Sequence, residues 1–291
     1  MNEDRGSALI SPTALFDQRD DPSLILLDAS FVLGETEVAP SESFRRAHLP
    51  GSQFFDIDRI ADPETPLPHM LPTPRAFAEA AGSFGIGPES RVVIYDSNRF
   101  MASARVWWMF RVFGHTNVKV LDGGLGRWQA LGLPLDSAET VRPNQVFRAA
   151  SRISLVTTRE HLLNHLADSS VEILDARPRD RFLGRVAEPR PGLRSGHIPG
   201  SKNVPFLTLL DPSTGGLHPP ERLKATFKDH GFGGSRSVIT TCGSGVTAAI
   251  LALALFEIGQ TECSVYDGSW AEWGLPGETP VAGEGPPETP V

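Results

Sequence analysis

Two cysteines, Cys242 and Cys263, are all that 291 residues contain, and two do not make a disulfide framework. No Cys-x-x-Cys pair is present, which removes dithiol redox chemistry. Cations are in short supply: 27 Lys and Arg against 35 Asp and Glu give a net charge of −8, and no Lys/Arg run exceeds two residues. A protein that mainly holds nucleic acid would show a basic patch or stripe, so that partner class is set aside. Long apolar runs are missing too. The most apolar stretch, Ala248–Phe256, is about half of the ~20 residues that a membrane helix needs, so no membrane partner is expected. The opening "MNEDRGSALI" is charged and lacks the apolar core of a secretory signal. The expected location is a reducing cytoplasm, where a reactive thiol stays usable.

What is present is enough apolar material for real cores, 40% of residues, broken by 25 prolines and 28 glycines. The length fits two domains of ordinary size. Runs rich in β-branched residues alternate with helix-length segments: "LILLDAS", "RVVIYD" and "VKVLDGG" early, "VEILDAR", "SVITTC" and "CSVYDG" late. That alternation predicts an α/β fold with mainly parallel sheets flanked by helices. The two halves also match. "AHLPGS" at 47–52 returns as "GHIPGS" at 196–201, and "VLDGGLGRW" at 120–128 returns as "VYDGSWAEW" at 265–273. "RVVIYDS" at 91–97 lies over "RSVITTC" at 236–242 with the offset of 145 residues shared by the preceding pair. Three matches in one order mean duplication of a whole domain. The predicted division is a first domain over 8–137, a linker over 138–155, a second domain over 156–276 and a flexible, Pro/Gly/Glu-rich tail over 277–291. At this offset Ser97 stands where the second copy has Cys242, so only one copy is armed, which suggests a site near the domain interface.

Cys242 ends an apolar strand and is followed at once by Gly243-Ser244-Gly245 and a helix. In an open parallel sheet, ligands sit beyond the carboxyl ends of the strands. Glycines there allow a tight turn with inward N–H groups, and such a nest at a helix N-terminus stabilises an anion. A thiolate or a persulfide anion, Cys–S–S⁻, fits that setting. Free cysteines in general are more often buried and inert; the glycines and the helix favour the reactive reading for Cys242. Cys263 begins an interior strand without such a loop and reads as packing. Rival chemistries lack their residues. A cysteine phosphatase needs arginine six positions after its cysteine, and Ala248 stands there. "GLGRWQ" misses the third glycine of a dinucleotide loop. In "HLLNH" the pair His161 and His165 has Leu162 where a zinc protease has glutamate, so no metal is expected.

"CGSGVTAA" at a strand end, two "HxPGS" segments, "DARPRDRFLG", "EPRPGLRSGHIPGS" and "RVWWMFRVFGH" together resemble the tandem rhodanese-like sulfurtransferases over about residues 8–275. Within that family "CGSGVT" resembles the loop of 3-mercaptopyruvate sulfurtransferases, whereas thiosulfate-preferring members typically carry a basic loop of the form CRKGVT. The resemblance implies two rhodanese-like domains with the catalytic cysteine in the second. Cys242 is then the nucleophile that takes up sulfur, and Gly243, Ser244, Gly245, Val246 and Thr247 form the loop around it. Ser244 matches a hydroxyl thought to work with a first-domain histidine, whose place is taken by His48. Its acidic partner falls among Glu35, Glu37 and Glu42. Arg181 and Arg190 match the arginines that grip the substrate's carboxylate and carbonyl.

The plain readings stand beside these. His48 and His197 each precede Pro-Gly and could simply hold a turn, Arg181 could belong to a solvated run, and Trp107 and Trp108 read as packing. The implied reaction moves sulfur from 3-mercaptopyruvate to cyanide, a small thiol or thioredoxin, with no metal or organic cofactor. Thiosulfate is the alternative donor. A non-catalytic sulfur-carrier or regulatory module is disfavoured because such modules commonly lose the cysteine that this chain keeps.

Overall fold

The computed structural model describes residues 7–34, 36–234 and 237–284. Two compact units are present. The first consists of the chain up to Pro63, Leu71–Arg152 and Leu210–Leu217; the second consists of Glu64–Met70, Ile153–Leu209 and the chain from His218. Each unit therefore includes a short segment from the other half of the sequence.

The first domain runs β1 (Leu9–Ile10), α1 (Pro12–Asp17), β2 (Leu24–Asp28), α2 (Pro40–Arg46), β3 (Ser52–Phe54), α3 (Pro74–Ser83), β4 (Arg91–Tyr95), α4 (Ser103–Val112), β5 (Val118–Leu121) and α5 (Gly124–Ala130). The second repeats the plan with β6 (Val156–Thr157), α6 (Arg159–Asn164), β7 (Val171–Asp175), α7 (Arg179–Phe182), β8 (Lys202–Asn203), α8 (Pro220–Asp229), β9 (Ser237–Thr241), α9 (Ala248–Glu257), β10 (Ser264–Tyr266) and α10 (Ser269–Trp273). The sheets have orders β1-β5-β4-β2-β3 and β6-β10-β9-β7-β8, with every pairing parallel. Central strands of such sheets are covered on both faces, which is why "LILLD" is buried at all five positions. Helix starts follow local chemistry: Ser11, Thr73 and Thr158 accept the third following amide on their hydroxyls, and Pro12 and Pro74 occupy the first turn.

Register corrects the repeat alignment. Asp28 pairs with Tyr95, and its counterpart Asp175 pairs with Thr241. The residue following each central strand is therefore Asp96 in one copy and Cys242 in the other; Ser97 is one step further on. The constant offset fails because the first loop spans 96–102, one residue more than 242–247.

Two further boundaries differ from the sequence reading. Residues 138–152, most of the linker expected over 138–155, strap the first domain. Gln145 N–H donates to Gly82 O (3.0 Å), Ala150 N–H to Phe113 O (2.9 Å), and Phe147 is buried against Phe77 and Phe110. The start of the expected tail is also bound, while 285–291 lie outside the described residues. His197 and Ala282 exchange backbone hydrogen bonds of 2.7 and 2.9 Å, Trp273 Nε1 donates to Pro280 O (2.8 Å), and Arg194 Nη1 donates to Thr279 O (2.8 Å). Composition signalled mobility here because prolines and glycines also suit a segment that lies extended across a domain. Removing the partner of a buried donor costs about 1–3 kcal/mol. A chain ended at Leu275 should therefore melt at least ~5 °C below one ended at Glu284 in a thermal denaturation scan; equal midpoints would mean that the segment adds no stability.

Candidate active site

β9 is the middle strand of its sheet, and its end delivers Cys242. The cysteine is 2% exposed and pinned on both sides of its backbone. Its N–H donates to Ser269 Oγ at 3.1 Å, and its carbonyl accepts from Trp270 N–H at 3.0 Å. Ala271 N–H holds the next carbonyl, that of Gly243, at 2.8 Å. Ser269 has φ +48°, a left-handed conformation disfavoured for a residue with a side chain; its counterpart Gly124 has φ +56°. The serine accepts that strain while its hydroxyl ties Cys242 N–H to Tyr266 O, to which it donates at 2.8 Å.

The loop after the cysteine uses its glycines for two reasons. Gly245 has φ +76°, which suits only glycine well. Gly243 is there for space: a β-carbon on it would lie 3.2 Å from Arg181 Nη2 and 3.9 Å from Arg190 Nη1. Two guanidinium groups therefore sit directly over the cysteine loop. Ser244 and Val246 are buried. Among the described residues no acceptor is found for the backbone N–H groups of Gly243, Ser244, Gly245, Val246 and Thr247. Unpaired amides at the start of the largely buried α9 are donors available to an anion.

The first domain shows what its version of this loop holds. Asp96 accepts from the amides of Asn98 and Phe100 on Oδ1 (both 3.1 Å) and of Ala102 and Ser103 on Oδ2 (3.2 and 2.9 Å). Burial pushes its carboxyl above the usual range, and the amides, Ser103's foremost, pull against that. One copy thus satisfies its amides with its own carboxylate, whereas the other presents a cysteine at that position.

Behind the arginines lies an ion network that the sequence reading missed. Arg177 is 1% exposed and donates through Nε to both oxygens of Asp175 (3.1 and 3.0 Å), and through Nη2 to Asp175 Oδ2 (2.6 Å) and Gly196 O (2.9 Å). Its guanidinium lies 4.3 Å from the Trp270 ring centre. Burial opposes its charge, but Asp175, then Glu188 and Cys242, outweigh that and hold it above its usual range. Geometry ties Arg177 to the site through Trp270, whose ring it lies over and whose backbone N–H holds the Cys242 carbonyl. The signal was in the repeats, since "LLDAS" in the first half becomes "ILDAR" in the second, with Ser30 at the place of Arg177. Ser269 could have been found the same way, from a serine opposite Gly124.

His48, for which a catalytic role and a turn-holding role were both expected, makes contacts of the turn-holding kind. Its Nδ1 faces Phe44 O at 2.7 Å and its Nε2 faces Ala138 O at 3.1 Å, and the ring stacks on Phe44 at 4.1 Å. His197 repeats the arrangement, with Nδ1 2.7 Å from Phe182 O and a 3.8 Å stack on Phe182. In both copies the following serine donates to a carbonyl three residues back, Ser52 to Leu49 O and Ser201 to Ile198 O. The shared "HxPGS" segment is thus a turn-holding device. Of the acids considered as partners of His48, Glu42 pairs with Arg46, and Glu35 lies outside the described residues. Cys263 is buried, its thiol turned toward Ser264 O at 3.6 Å.

Among the described residues no group of three or more His, Cys, Asp or Glu side chains is placed to hold a metal ion, and no helix is long and apolar enough to cross a membrane.

Comparison with known proteins agrees with this architecture. The rhodanese-like domain family model matches twice, at residues 11–131 and 158–275. The chain is 43% identical to the 3-mercaptopyruvate sulfurtransferase of Mus musculus, over 89% of this chain and 88% of that protein. It is 41% identical to the thiosulfate sulfurtransferase of Cricetulus griseus, over 93% and 89%. Among solved structures, the 3-mercaptopyruvate sulfurtransferase SseA of Escherichia coli superposes with a TM-score of 0.82 at 35% identity, covering 91% of this chain and 99% of that one. With two such domains and a cysteine held in the second, the chain belongs to the tandem rhodanese-like sulfurtransferases.

Proposed function

We propose that the sulfur donor is 3-mercaptopyruvate and that Cys242 carries the sulfur as a persulfide. Overall identity does not choose the donor, since relatives named for different donors lie within two percentage points of each other, 43% and 41%. The observation that carries the choice is the pair of guanidinium groups, Arg181 and Arg190, crowding the space above Gly243. A fork of this kind suits a planar carboxylate beside a carbonyl. A basic side chain at position 243, as in the CRKGVT pattern, would bring a further positive charge against it and start from a β-carbon 3.2 Å from Arg181 Nη2.

In the reaction the Cys242 thiolate attacks the donor's sulfur. A sulfur–sulfur bond forms, the carbon–sulfur bond breaks, and its electron pair passes to the enolate of pyruvate. The enolate takes up the proton that the donor's thiol brought, with Ser244 as the loop hydroxyl able to relay it. Pyruvate leaves, and the persulfide anion remains among the amides of residues 243–247. An acceptor (cyanide, a small thiol or thioredoxin) removes the outer sulfur and regenerates the thiolate. A reducing compartment suits this cycle, and the cytoplasm is proposed as its place.

The test is intact-mass measurement after addition of mercaptopyruvate without acceptor. The expected result is a gain of one sulfur atom, reversed by a reductant, together with a higher kcat/KM for mercaptopyruvate than for thiosulfate. The opposite donor preference would assign the enzyme to thiosulfate. An unchanged mass during turnover would remove the persulfide.

A further inference from the structure

The sequence places an acid between the two arginines of the site, in "RFLGRVAEPR", and the structure buries it. The Glu188 side chain is 1% exposed and binds two guanidinium groups at once. Arg177 Nη1 donates to Oε1 at 3.0 Å, Arg181 Nε donates to Oε1 at 3.3 Å, and Arg181 Nη2 donates to Oε2. The two cations differ in freedom. Arg177 is fixed by Asp175, Gly196 O and the face of Trp270. Arg181 is 20% exposed, and among the described residues Glu188 is the acceptor of its side-chain hydrogen bonds.

A guanidinium group has two edges that can grip a carboxylate, one formed by Nε and one Nη, the other by the two Nη atoms. Glu188 holds the first edge of Arg181. The second, Nη1 with Nη2, is turned to Gly243, at 3.8 and 3.2 Å from the place of a β-carbon there. A long arginine side chain with no such hold would lose rotamer entropy on meeting its ligand. Here Arg177 anchors Glu188, and Glu188 sets the plane of Arg181.

We infer that Glu188 is a positioning residue that fixes the free edge of Arg181 for the donor's carboxylate and, through its negative charge, favours a singly over a doubly charged donor. Taking that charge away makes the site one unit more positive, which weakens the orientation needed by mercaptopyruvate but suits the thiosulfate dianion.

The inference rests on the proposed function, and one experiment separates the two. Wild-type rates on mercaptopyruvate and thiosulfate judge the proposed function; the ratio of Glu188→Gln to wild type on each donor judges the role of Glu188. Expected is a rise of about tenfold or more in KM for mercaptopyruvate, with a smaller change in kcat. KM for thiosulfate should stay level or fall, and alkylation of Cys242 by iodoacetamide should proceed near the wild-type rate. Equal changes in both values of KM, or a loss confined to kcat, would overturn the inference. If Glu188→Gln does not fold, Glu188→Asp keeps the buried charge but draws the carboxylate back from Arg181. It should raise KM for mercaptopyruvate at near wild-type kcat, and an unchanged KM would overturn the inference equally.

Discussion

Cys242→Ser should lower turnover with any donor by about 10⁴-fold or more and leave a protein that gains no mass on mixing with mercaptopyruvate. A hydroxyl is close to a thiol in size, and the backbone at this position is held by Ser269, Trp270 and Ala271 rather than by the side chain. The variant should therefore fold, so the loss is one of chemistry. Oxygen cannot replace sulfur here, because the step needs a soft nucleophile that accepts a sulfur atom and gives it up again. Cys263→Ser is the matched control: its thiol is buried with Ser264 O as neighbour, and activity should persist. Steady-state assay and intact mass read both variants. Turnover retained by Cys242→Ser would move the reaction elsewhere in the chain.

Removing the guanidinium of Arg190, as in Arg190→Gln, should cut kcat/KM for mercaptopyruvate by about 10- to 100-fold, mostly through KM. Charge-assisted hydrogen bonds contribute about 1.5–3 kcal/mol, and every ~1.4 kcal/mol is a factor of ten. Arg190 Nη1 stands 3.9 Å from the β-carbon place at Gly243, beside Arg181 and opposite the loop that carries the sulfur. Thiosulfate has no carboxylate to lose, so its kcat/KM should fall by less. Equal losses for both donors would refute the carboxylate grip and leave Arg190 a general source of positive charge.

The two-domain parallel α/β plan was legible in the sequence because buried central strands read as unbroken apolar runs, and because duplication printed those runs twice. The short edge strands β1, β3, β6 and β8, of two or three residues each, left no such mark. Cys242 and its glycines were legible because a strand, a bend and a helix follow one another without a gap. Arg177 and Ser269 showed only as differences between the repeats, since their partners lie far along the chain: Arg177 lies on Trp270, and Ser269 reaches Cys242. Glu188 has its partners close by, but nothing in the letters says that an acid among arginines is buried between two of them. For His48 the sequence left two readings side by side, because a histidine held by two carbonyls and a stacked phenylalanine has the same letters as one that moves protons. Its twin His197, in the same pose in the other copy, is the better guide to what that motif does.

The extra residue in the loop from Asp96 to Ala102 bears on how the two gene copies diverged. The longer loop folds its amides, and the first amide of α4, onto the Asp96 carboxylate. With Ser30 where the second copy has Arg177, exchanging the aspartate codon for cysteine would supply a thiol but neither the matching loop nor the cation behind it. Re-arming the silent copy would take a deletion and at least two substitutions together, a route that selection acting on single changes does not readily follow.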